Sequence, residues 1–351
     1  MMKTVLSKAA GYWILASAFL ITAPLRGQTE GPIALVLHGG AGAVSPEALA
    51  NGGEKAYRDA LGAALDAGYA VLEAGGASLD AVEATIRILE DSPLFNAGKG
   101  AVFTSEGETE MDASIMEGAG RRAGAVGGVT VVKNPIGAAR AVMEKTPHVL
   151  LMGAGADAFA RESGLEIVSR EYFKTERRRE QWRKANGFAP EVRPQEDKPQ
   201  ARLDFPSVDY LGTVGAVALD REGNIAAGTS TGGLTNKRFG RIGDSPIIGA
   251  GTFADNRSCG VSCTGHGEYF IRYAVAHDVA ARMAYLGESV AEATRTVVQD
   301  TLVQAGGRGG LIALDAQGAV SAEFNTPSMF RAWIDGEGQR VIAIQKGGDD
   351  Q

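Results

Sequence analysis

Gly212 and Thr213 lie at a point in the chain where residue type and surroundings point to nucleophilic chemistry. A charged stretch with several prolines ends there, and an apolar strand pattern begins at Thr213. If the bond between the two residues is cut, Thr213 gains a free α-amine with a reference pKa of about 7.7–8. That amine can take the hydroxyl proton of the same residue, which would then supply both nucleophile and base. Taken alone, a threonine that opens a strand is more often only a β-branched strand residue, so its surroundings must decide.

A second pattern in the same region would imply different chemistry. Residues 228–232 read G-T-S-T-G and match the G-x-S-x-G nucleophile elbow of α/β-hydrolases, and residues 38–40 resemble their oxyanion motif. The elbow requires a strand, a sharp turn and a helix. Three glycines in 233–243, followed by Pro246, do not form a helix, so no catalytic serine is predicted. The four histidines include no H-E-x-x-H motif, which excludes a zincin.

The composition is that of a packed globular protein, with 44% hydrophobic and 22% charged residues. Glycine accounts for 48 of the 351 residues, roughly double the usual share, and indicates tight turns and close approaches of the backbone. The net charge of −7, without a basic stripe, argues against a nucleic-acid partner. Cys259 and Cys263 cannot form a disulfide framework or a structural zinc site alone, and are interpreted as buried thiols.

The N-terminus has the pattern of a signal peptide. Lys3 and Lys8 precede an apolar stretch at 11–23, which is too short to span a bilayer. We interpret residues 1–27 as the signal peptide of an exported protein, periplasmic or secreted, with no membrane association after its removal. An uncleaved N-terminal anchor is the alternative.

The first half of the chain alternates between regular elements and glycine-rich loops. The pattern predicts a buried strand at 33–37 followed by a glycine loop at 38–42. A helix is expected at about 54–73, and a second begins with Ser78 as N-cap and ends before Pro93. Strand-like segments follow around 101–104 and 124–132, and a further helix opens at Asn134-Pro135 and reaches about Lys145.

The second half begins with a change in composition and continues with two predicted hairpins. Residues 170–208 are rich in charge and proline, and predict a charged helix, with Arg177–Arg179 on a solvated face or in a linker, followed by disorder. Hairpins are predicted at 213–231 and 310–324, with two helices between them at about 267–286 and 288–304. The order of strands, helices and strands predicts an α+β fold with antiparallel sheet and outer helices.

Several segments, taken together, resemble the plant-type asparaginase family of N-terminal nucleophile hydrolases. Members of this family are isoaspartyl peptidases with L-asparaginase activity. The matching segments are 38–42, 89–100, 111–116, 213–217, 229–233, 240–246, 262–268 and 324–326. Each is weak by itself, but their order and spacing are specific and cover nearly the whole mature chain.

The resemblance implies a four-layer αββα sandwich and a precursor that cleaves itself between Gly212 and Thr213. One catalytic domain would then consist of an α subunit, 28–212, and a β subunit, 213–351. Residues 170–212 would be a flexible linker before the cleavage site. The working unit would be a homodimer of αβ heterodimers acting on small molecules, namely β-aspartyl dipeptides and L-asparagine.

The resemblance also assigns roles to individual residues. Thr213 would be the nucleophile, Thr231 would hydrogen-bond it near its amine, and Thr264 with the Gly265 amide would form the oxyanion hole. The Arg241 guanidinium suits the free α-carboxylate of a β-aspartyl substrate, and the Asp244 carboxylate suits its free α-ammonium. A local salt bridge is the alternative for Arg241 and Asp244. The implied substrate-binding set is Arg241, Ile242, Gly243, Asp244, Thr264, Gly265, His266, Gly267 and Asn96. Within this set His266 is expected to be a bystander to the chemistry.

No cofactor is expected for catalysis, but the family has a sodium-binding loop that the segment 89–100 resembles. Backbone carbonyls ligate the sodium ion in that loop. Backbone ligation requires no particular side chain, so the residue types in 89–100 say little about whether this chain binds the ion. A turn without metal is the alternative. The matching positions are Leu89, Glu90, Ser92, Phe95, Ala97 and Lys99.

Two other functions compete with this interpretation. In the related glycosylasparaginases, the residue before the nucleophile is typically aspartate, and Thr-Ile-Gly follows. Here Gly212 precedes Thr213-Val214-Gly215, and the segment 235–237 also favours the isoaspartyl branch. A catalytically inactive binding protein of the same fold is a second alternative, against which the intact junction and both threonines argue.

Overall fold

The computed structural model describes residues 31–44, 46–187 and 212–346, together with Met1. The predicted signal peptide, apart from Met1, and residues 188–211 of the predicted linker lie outside these ranges. Among the described residues, no helix combines the length and apolar character that crossing a membrane requires.

Strands and helices alternate through the described ranges. The strands are β1 (Ala34–Gly42), β2 (Met111–Glu117), β3 (Ala123–Val129), β4 (Leu150–Met152), β5 (Val214–Leu219), β6 (Ile225–Thr231), β7 (Thr252–Ala254), β8 (Cys259–Gly265), β9 (Gly309–Asp315), β10 (Val320–Phe324), β11 (Ser328–Ile334) and β12 (Arg340–Gln345). The helices are α1 (Pro46–Leu49), α2 (Gly53–Glu73), α3 (Ser78–Asp91), α4 (Pro135–Lys145), α5 (Gly153–Glu162), α6 (Glu176–Gly187), α7 (Gly267–Arg272), α8 (Val275–Leu286), α9 (Val290–Arg295) and α10 (Leu302–Ala305).

Two sheets pack face to face between two layers of helices. The larger sheet has the order β12-β11-β1-β5-β6-β2-β3-β4 and the smaller β10-β9-β8-β7. Every pair is antiparallel except β3 with β4. Helices α2, α3 and α4 cover the larger sheet, and α8 and α9 cover the smaller one. The predicted αββα sandwich is confirmed.

Strand β1 shows how the layers are held together. Leu35 and Leu37 belong to the core beneath α2 and α3, whereas Ala34 and Val36 belong to the core between the sheets. Alternate side chains of a strand point to opposite faces, so one short apolar run contributes to both cores. All nine residues of β1 are buried, as expected for a central strand covered on both sides.

Strand β1 also extends beyond its predicted end. The predicted glycine loop at 38–42 is the second half of the strand, with a bulge between His38 and Gly40. The residues at 101–104 do not form the predicted strand, because only Thr104 makes an isolated bridge, to Lys237. Polar Asp112 and Ser114 interrupt the apolar pattern of β2, so its sequence did not reveal a strand.

The start of α3 depends on a distant residue. Ala77, not the predicted Ser78, is the N-cap, and it makes no side-chain cap. The Asp220 carboxylate, in the β5–β6 turn, accepts a hydrogen bond from the Ser78 amide at 2.9 Å. Local pattern cannot predict this cap, because its acceptor comes from a strand turn 142 residues further along the chain.

The remaining helical predictions are correct in position and differ in detail. The predicted helix at 267–286 is broken at Ala274, whose φ is 47°, into α7 and α8. The predicted helix at 288–304 contains a π-helical segment, Thr296–Thr301. The described part of the interval predicted as linker, 170–187, contains α6, whose Arg178 is buried and donates from Nε to the Gly100 carbonyl at 2.6 Å. One of the three arginines therefore does not lie on a solvated face.

Candidate active site

Thr213 and Thr231 meet at one end of the larger sheet. Thr213 directly precedes β5 and Thr231 ends β6, and the antiparallel register places Val214 opposite Ser230. The Thr213 hydroxyl donates to the Thr231 hydroxyl at 3.1 Å. Both residues are buried, so the pair lies in a site from which most water is excluded.

Asn96 holds the turn that follows Thr231. Its side-chain amide donates to the Gly233 carbonyl at 2.8 Å, and its own backbone carbonyl accepts from the Gly232 amide at 3.0 Å. The Gly233 amide in turn donates to the Thr231 hydroxyl at 3.0 Å. Asn96 does not line the cavity beside Thr213 and lies behind the turn, and its contact with a substrate stays a prediction.

The candidate oxyanion hole comes from the smaller sheet. Thr264 and Gly265 end β8, and the Thr264 hydroxyl accepts from the Ala41 amide at 3.2 Å. A Cβ added to Gly212 would lie 3.0 Å from that hydroxyl, so Thr264 lies next to the predicted cleavage site. Gly40 covers the junction from β1, since its φ is 111° and a Cβ there would lie 2.2 Å from the Gly212 carbonyl oxygen. Only glycine permits this approach.

A small cavity connects these groups to the predicted charged pair. It has a volume of about 20 Å³, room for about one water molecule, and Gly212 is one of the residues that line it. Its lining includes Ala41, Gly212, Thr213, Thr231, Gly233, Leu234, Arg241, Gly243, Asp244, Ser245 and Gly265. The predicted nucleophile, the predicted charged residues and Gly265 thus surround one space.

Arg241 and Asp244 are held differently. Arg241 makes a two-pronged ion pair with Glu268, from Nε at 2.9 Å and from Nη2 at 3.0 Å. Asp244 is buried, and its Oδ2 has no hydrogen-bond partner among the described residues. Burial raises the pKa of Asp244 to about 7, against the lowering effect of its own backbone amide and of Arg241. Because Arg241 pairs with Glu268, the structure does not contain the alternative, a local salt bridge between Arg241 and Asp244.

Two glycines leave room for the charged groups. A Cβ on Gly267 would lie 2.8 Å from Arg241 Nη2 and 2.9 Å from Asp244 Oδ1, and one on Gly243 would lie 2.7 Å from Arg241 Nη1. Ile242 instead points away from the cavity, since a Cβ on Gly127 would lie 2.9 Å from its Cδ1. His266 is the N-cap of α7 and is absent from the cavity lining, in keeping with a bystander role.

Sequence reasoning missed a chain of hydroxyls beneath β5. Thr252 donates to Thr229 at 2.5 Å, Thr229 shares a hydrogen bond with Ser262 at 2.7 Å, and Ser262 shares one with His38 Nε2 at 3.0 Å. Burial lowers the pKa of His38 to about 3, so its ring is neutral. A Cβ on Gly215 would lie 1.9 Å from the Ser262 hydroxyl, which explains the glycine two residues after Thr213.

Ser245 was also missed as a member of the site. Its hydroxyl lies 3.5 Å from that of Thr213, and it lines the cavity. It lies in the segment 240–246, so the sequence did contain a signal. Ser230, the serine of the elbow pattern, instead donates to the buried Glu90 carboxyl at 2.6 Å, and no helix follows it. This agrees with the rejection of a serine elbow.

The 89–100 loop fits a cation held by backbone oxygens. A Cβ on Gly98, whose φ is 50°, would lie 2.3 Å from the Glu90 carbonyl oxygen, and one on Gly100 would lie 2.0 Å from that of Phe95. The Glu90 and Phe95 carbonyl oxygens therefore lie close to these two glycines, and oxygen donors of this kind suit hard cations. Within the described ranges, no group of three or more His, Cys, Asp or Glu side chains has the arrangement of a metal site.

Comparison with known proteins agrees with this geometry. The fold is that of an N-terminal nucleophile hydrolase, and residues 31–344 match the model of the Asparaginase_2 family, described as asparaginase. The chain belongs to this family.

Relatives from three domains of life are similar over most of their length. The isoaspartyl peptidase of Escherichia coli K12 is 50% identical over 303 residues, 86% of this chain and 93% of the relative. The probable isoaspartyl peptidase/L-asparaginase 2 of Arabidopsis thaliana is 44% identical over 324 residues, 89% of this chain and 98% of the relative. The plant-type L-asparaginase of Pyrococcus abyssi is 44% identical over 321 residues, 86% and 96% of the two chains.

Proposed function

We propose that the chain is a self-cleaving threonine hydrolase that removes β-aspartyl residues from dipeptides and converts L-asparagine to aspartate and ammonia. The observation that carries this proposal is the hydrogen bond of 3.1 Å between Thr213 and Thr231, next to a cavity that Arg241 and Asp244 also line. The names of the relatives, isoaspartyl peptidase and L-asparaginase, support the same activity.

The first reaction would be self-cleavage. The Thr213 hydroxyl adds to the Gly212 carbonyl, and the Gly212–Thr213 C–N bond breaks as the acyl group moves from nitrogen to oxygen. Water then hydrolyses the ester, which releases the Gly212 carboxylate and the Thr213 α-amine. The position of the Thr264 hydroxyl beside Gly212 supports its role as a donor to the developing oxyanion.

The same atoms would then turn over substrate. The α-amine takes the Thr213 hydroxyl proton, and Oγ1 attacks the side-chain carbonyl of the aspartyl group. Thr264 and the Gly265 amide stabilise the oxyanion, and ammonia or an amino acid leaves with the proton. Water cleaves the resulting β-aspartyl ester and regenerates Thr213, while Thr231 fixes the nucleophile's orientation.

Specificity would follow from the two charges on the substrate. L-Asparagine and β-aspartyl dipeptides carry a free α-carboxylate and a free α-ammonium on the aspartyl residue, which Arg241 and Asp244 would bind. An ordinary α-linked peptide lacks that pair. Asp244 Oδ2 is buried and has no hydrogen-bond partner in the described part of the chain, which supports this assignment because a substrate ammonium would supply the missing donor.

Export, sodium binding and dimerisation are further parts of the proposal. The basic residues and apolar stretch at the N-terminus support a periplasmic or secreted protein, which N-terminal sequencing of fractionated cells would test. The backbone carbonyls of Glu90 and Phe95, close to Gly98 and Gly100, support a structural sodium ion, with the backbone oxygens of Leu89, Glu90, Ser92, Phe95, Ala97 and Lys99 as its ligands. A homodimer of αβ heterodimers would be checked by light scattering.

A side-by-side assay tests the activity. Wild type is expected to hydrolyse β-Asp-Leu and L-asparagine, and to leave an N-glycosylated asparagine and α-Asp-Leu unchanged. Thr213→Ala should hydrolyse none of them. Preference for the glycosylated asparagine would favour glycosylasparaginase, and no turnover by correctly cleaved wild type would favour an inactive binding protein.

A further inference from the structure

A buried lysine lies behind the catalytic pair without lining the cavity. The Lys237 side chain is 1% exposed, and its Nζ donates to the Glu110 carbonyl at 2.9 Å. The Glu110 carboxylate lies 3.8 Å from the same nitrogen and is partly exposed. Burying an ammonium group is costly, so its location calls for a physical reason.

Two hydrogen bonds connect the lysine's surroundings to the nucleophile. A Cβ on Gly233 would lie 3.0 Å from Lys237 Nζ, so the ammonium packs directly against this glycine. The Gly233 amide donates to the Thr231 hydroxyl, which accepts from the Thr213 hydroxyl. Because Lys237 does not line the cavity, it acts on Thr213 through the turn and through its charge, not through contact with substrate.

Most other titratable groups around Thr213 are shifted towards their neutral forms. Burial lowers the pKa of His38 on β1 to about 3, raises that of Glu90 at the end of α3 to about 8, and raises that of Cys263 on β8. Burial also raises the pKa of Asp112 on β2 and of Asp244. Among the described residues, further charged or titratable groups on this side include Arg241, His266, Glu268 and Arg308, and the Lys237 charge acts to lower the pKa of Asp112.

We propose that the buried Lys237 ammonium is a positioning charge that keeps the Thr213 α-amine neutral and therefore able to act as a base. The proposal rests on the proposed function, in which cleavage creates that amine. A fixed cation disfavours protonation of a nearby amine. Two charges about 10 Å apart at an effective dielectric constant of about 20 interact strongly enough to shift a pKa by about one unit. Glu110, on the far side of Lys237, moderates this effect.

The test is the pH profile of kcat for β-Asp-Leu between pH 5 and 9, and in particular the pH at which kcat falls on the acidic side, called here the acidic limb. Two variants are compared, one that removes the positive charge of Lys237 and one that removes the negative charge of Glu110. The kcat profile is chosen because bound substrate keeps Asp244 paired, so that the limb reports the amine. Lys237→Met should move the limb up by about one pH unit, and Lys237→Arg should return it towards wild type. Glu110→Gln, which removes the counter-charge, should move the limb down.

Lys55→Met provides a matched control, because Lys55 is an exposed residue of α2 paired with Asp59. The acidic limb of the kcat profile of Lys55→Met should lie at the same pH as that of wild type. The proposal is overturned if cleaved Lys237→Met keeps the wild-type limb, or if Lys237→Met and Glu110→Gln move it in the same direction. If Lys237→Met remains uncleaved, Glu110→Gln decides alone, and an unmoved limb there also overturns the proposal. Failure of the proposed function would show earlier, as an uncleaved wild type or an active Thr213→Ala.

Discussion

At the scale of the residue, the two proposed substrate-binding side chains, Arg241 and Asp244, differ in whether protein groups already pair with them. Glu268 holds the Arg241 guanidinium through two hydrogen bonds, so this side chain is oriented before any ligand arrives. One carboxylate oxygen of Asp244 lacks a hydrogen-bond partner within residues 31–44, 46–187 and 212–346, and burial raises the pKa of this residue to about 7. Ionised Asp244 therefore depends on a ligand, and a substrate ammonium has the charge that it lacks.

This difference predicts a pH-dependent KM. Asp244 is ionised above its raised pKa of about 7 and becomes protonated below it, so binding of the substrate ammonium weakens as the pH falls. KM for L-asparagine should rise as the pH drops from 8 to 6. Asp244→Asn should raise KM by at least about tenfold at pH 8 and flatten this dependence. The idea fails if the variant retains both the wild-type KM and its pH dependence.

At the scale of the element, the start of α7 shapes the pocket. Gly267, the first residue of α7, packs against Arg241 and Asp244 closely enough that no Cβ fits without displacement. Gly267→Ala should therefore leave folding and self-cleavage intact while raising KM by about tenfold or more, measured with β-Asp-Leu.

Gly155→Ala is the matched control for this substitution. Gly155 lies in α5, a Cβ there would meet nothing within 4 Å, and alanine is a better helix former. Its kinetics should match wild type. An unchanged KM in Gly267→Ala would contradict the role assigned to the start of α7.

Elements with strong local signals could be predicted from the sequence. The α2 helix, the end of α3 before Pro93, the start of α4 at Pro135 and both hairpins agree with the patterns. The wrong assignments arose where distant partners decide the structure, as in β2, whose polar Asp112 and Ser114 are buried between other elements. The site residues could be proposed because their motifs were intact. The roles of Ser262 and Lys237 depend on packing between segments far apart in the chain.

At the scale of the whole molecule, the parts before and after Thr213 are interleaved. In the larger sheet β1 lies between β11 and β5, and β6 pairs with β2. Each proposed subunit therefore contributes central strands to one sheet, and the core between the sheets contains residues from both. A cut at Gly212–Thr213 would leave these strand pairs in place, so the proposed cleavage would change the chemistry of the site without separating the fragments.

The most direct test of the account is the mass of the chains that a single native species contains. Purified wild type should elute as one folded species and yield, after denaturation, a fragment ending at Gly212 and a 139-residue fragment beginning with Thr213. Thr213→Ala should elute alike and yield one uncleaved chain. A persistent single wild-type chain with full activity, or cleavage at another bond, would contradict the assignment of Thr213 as the N-terminal nucleophile.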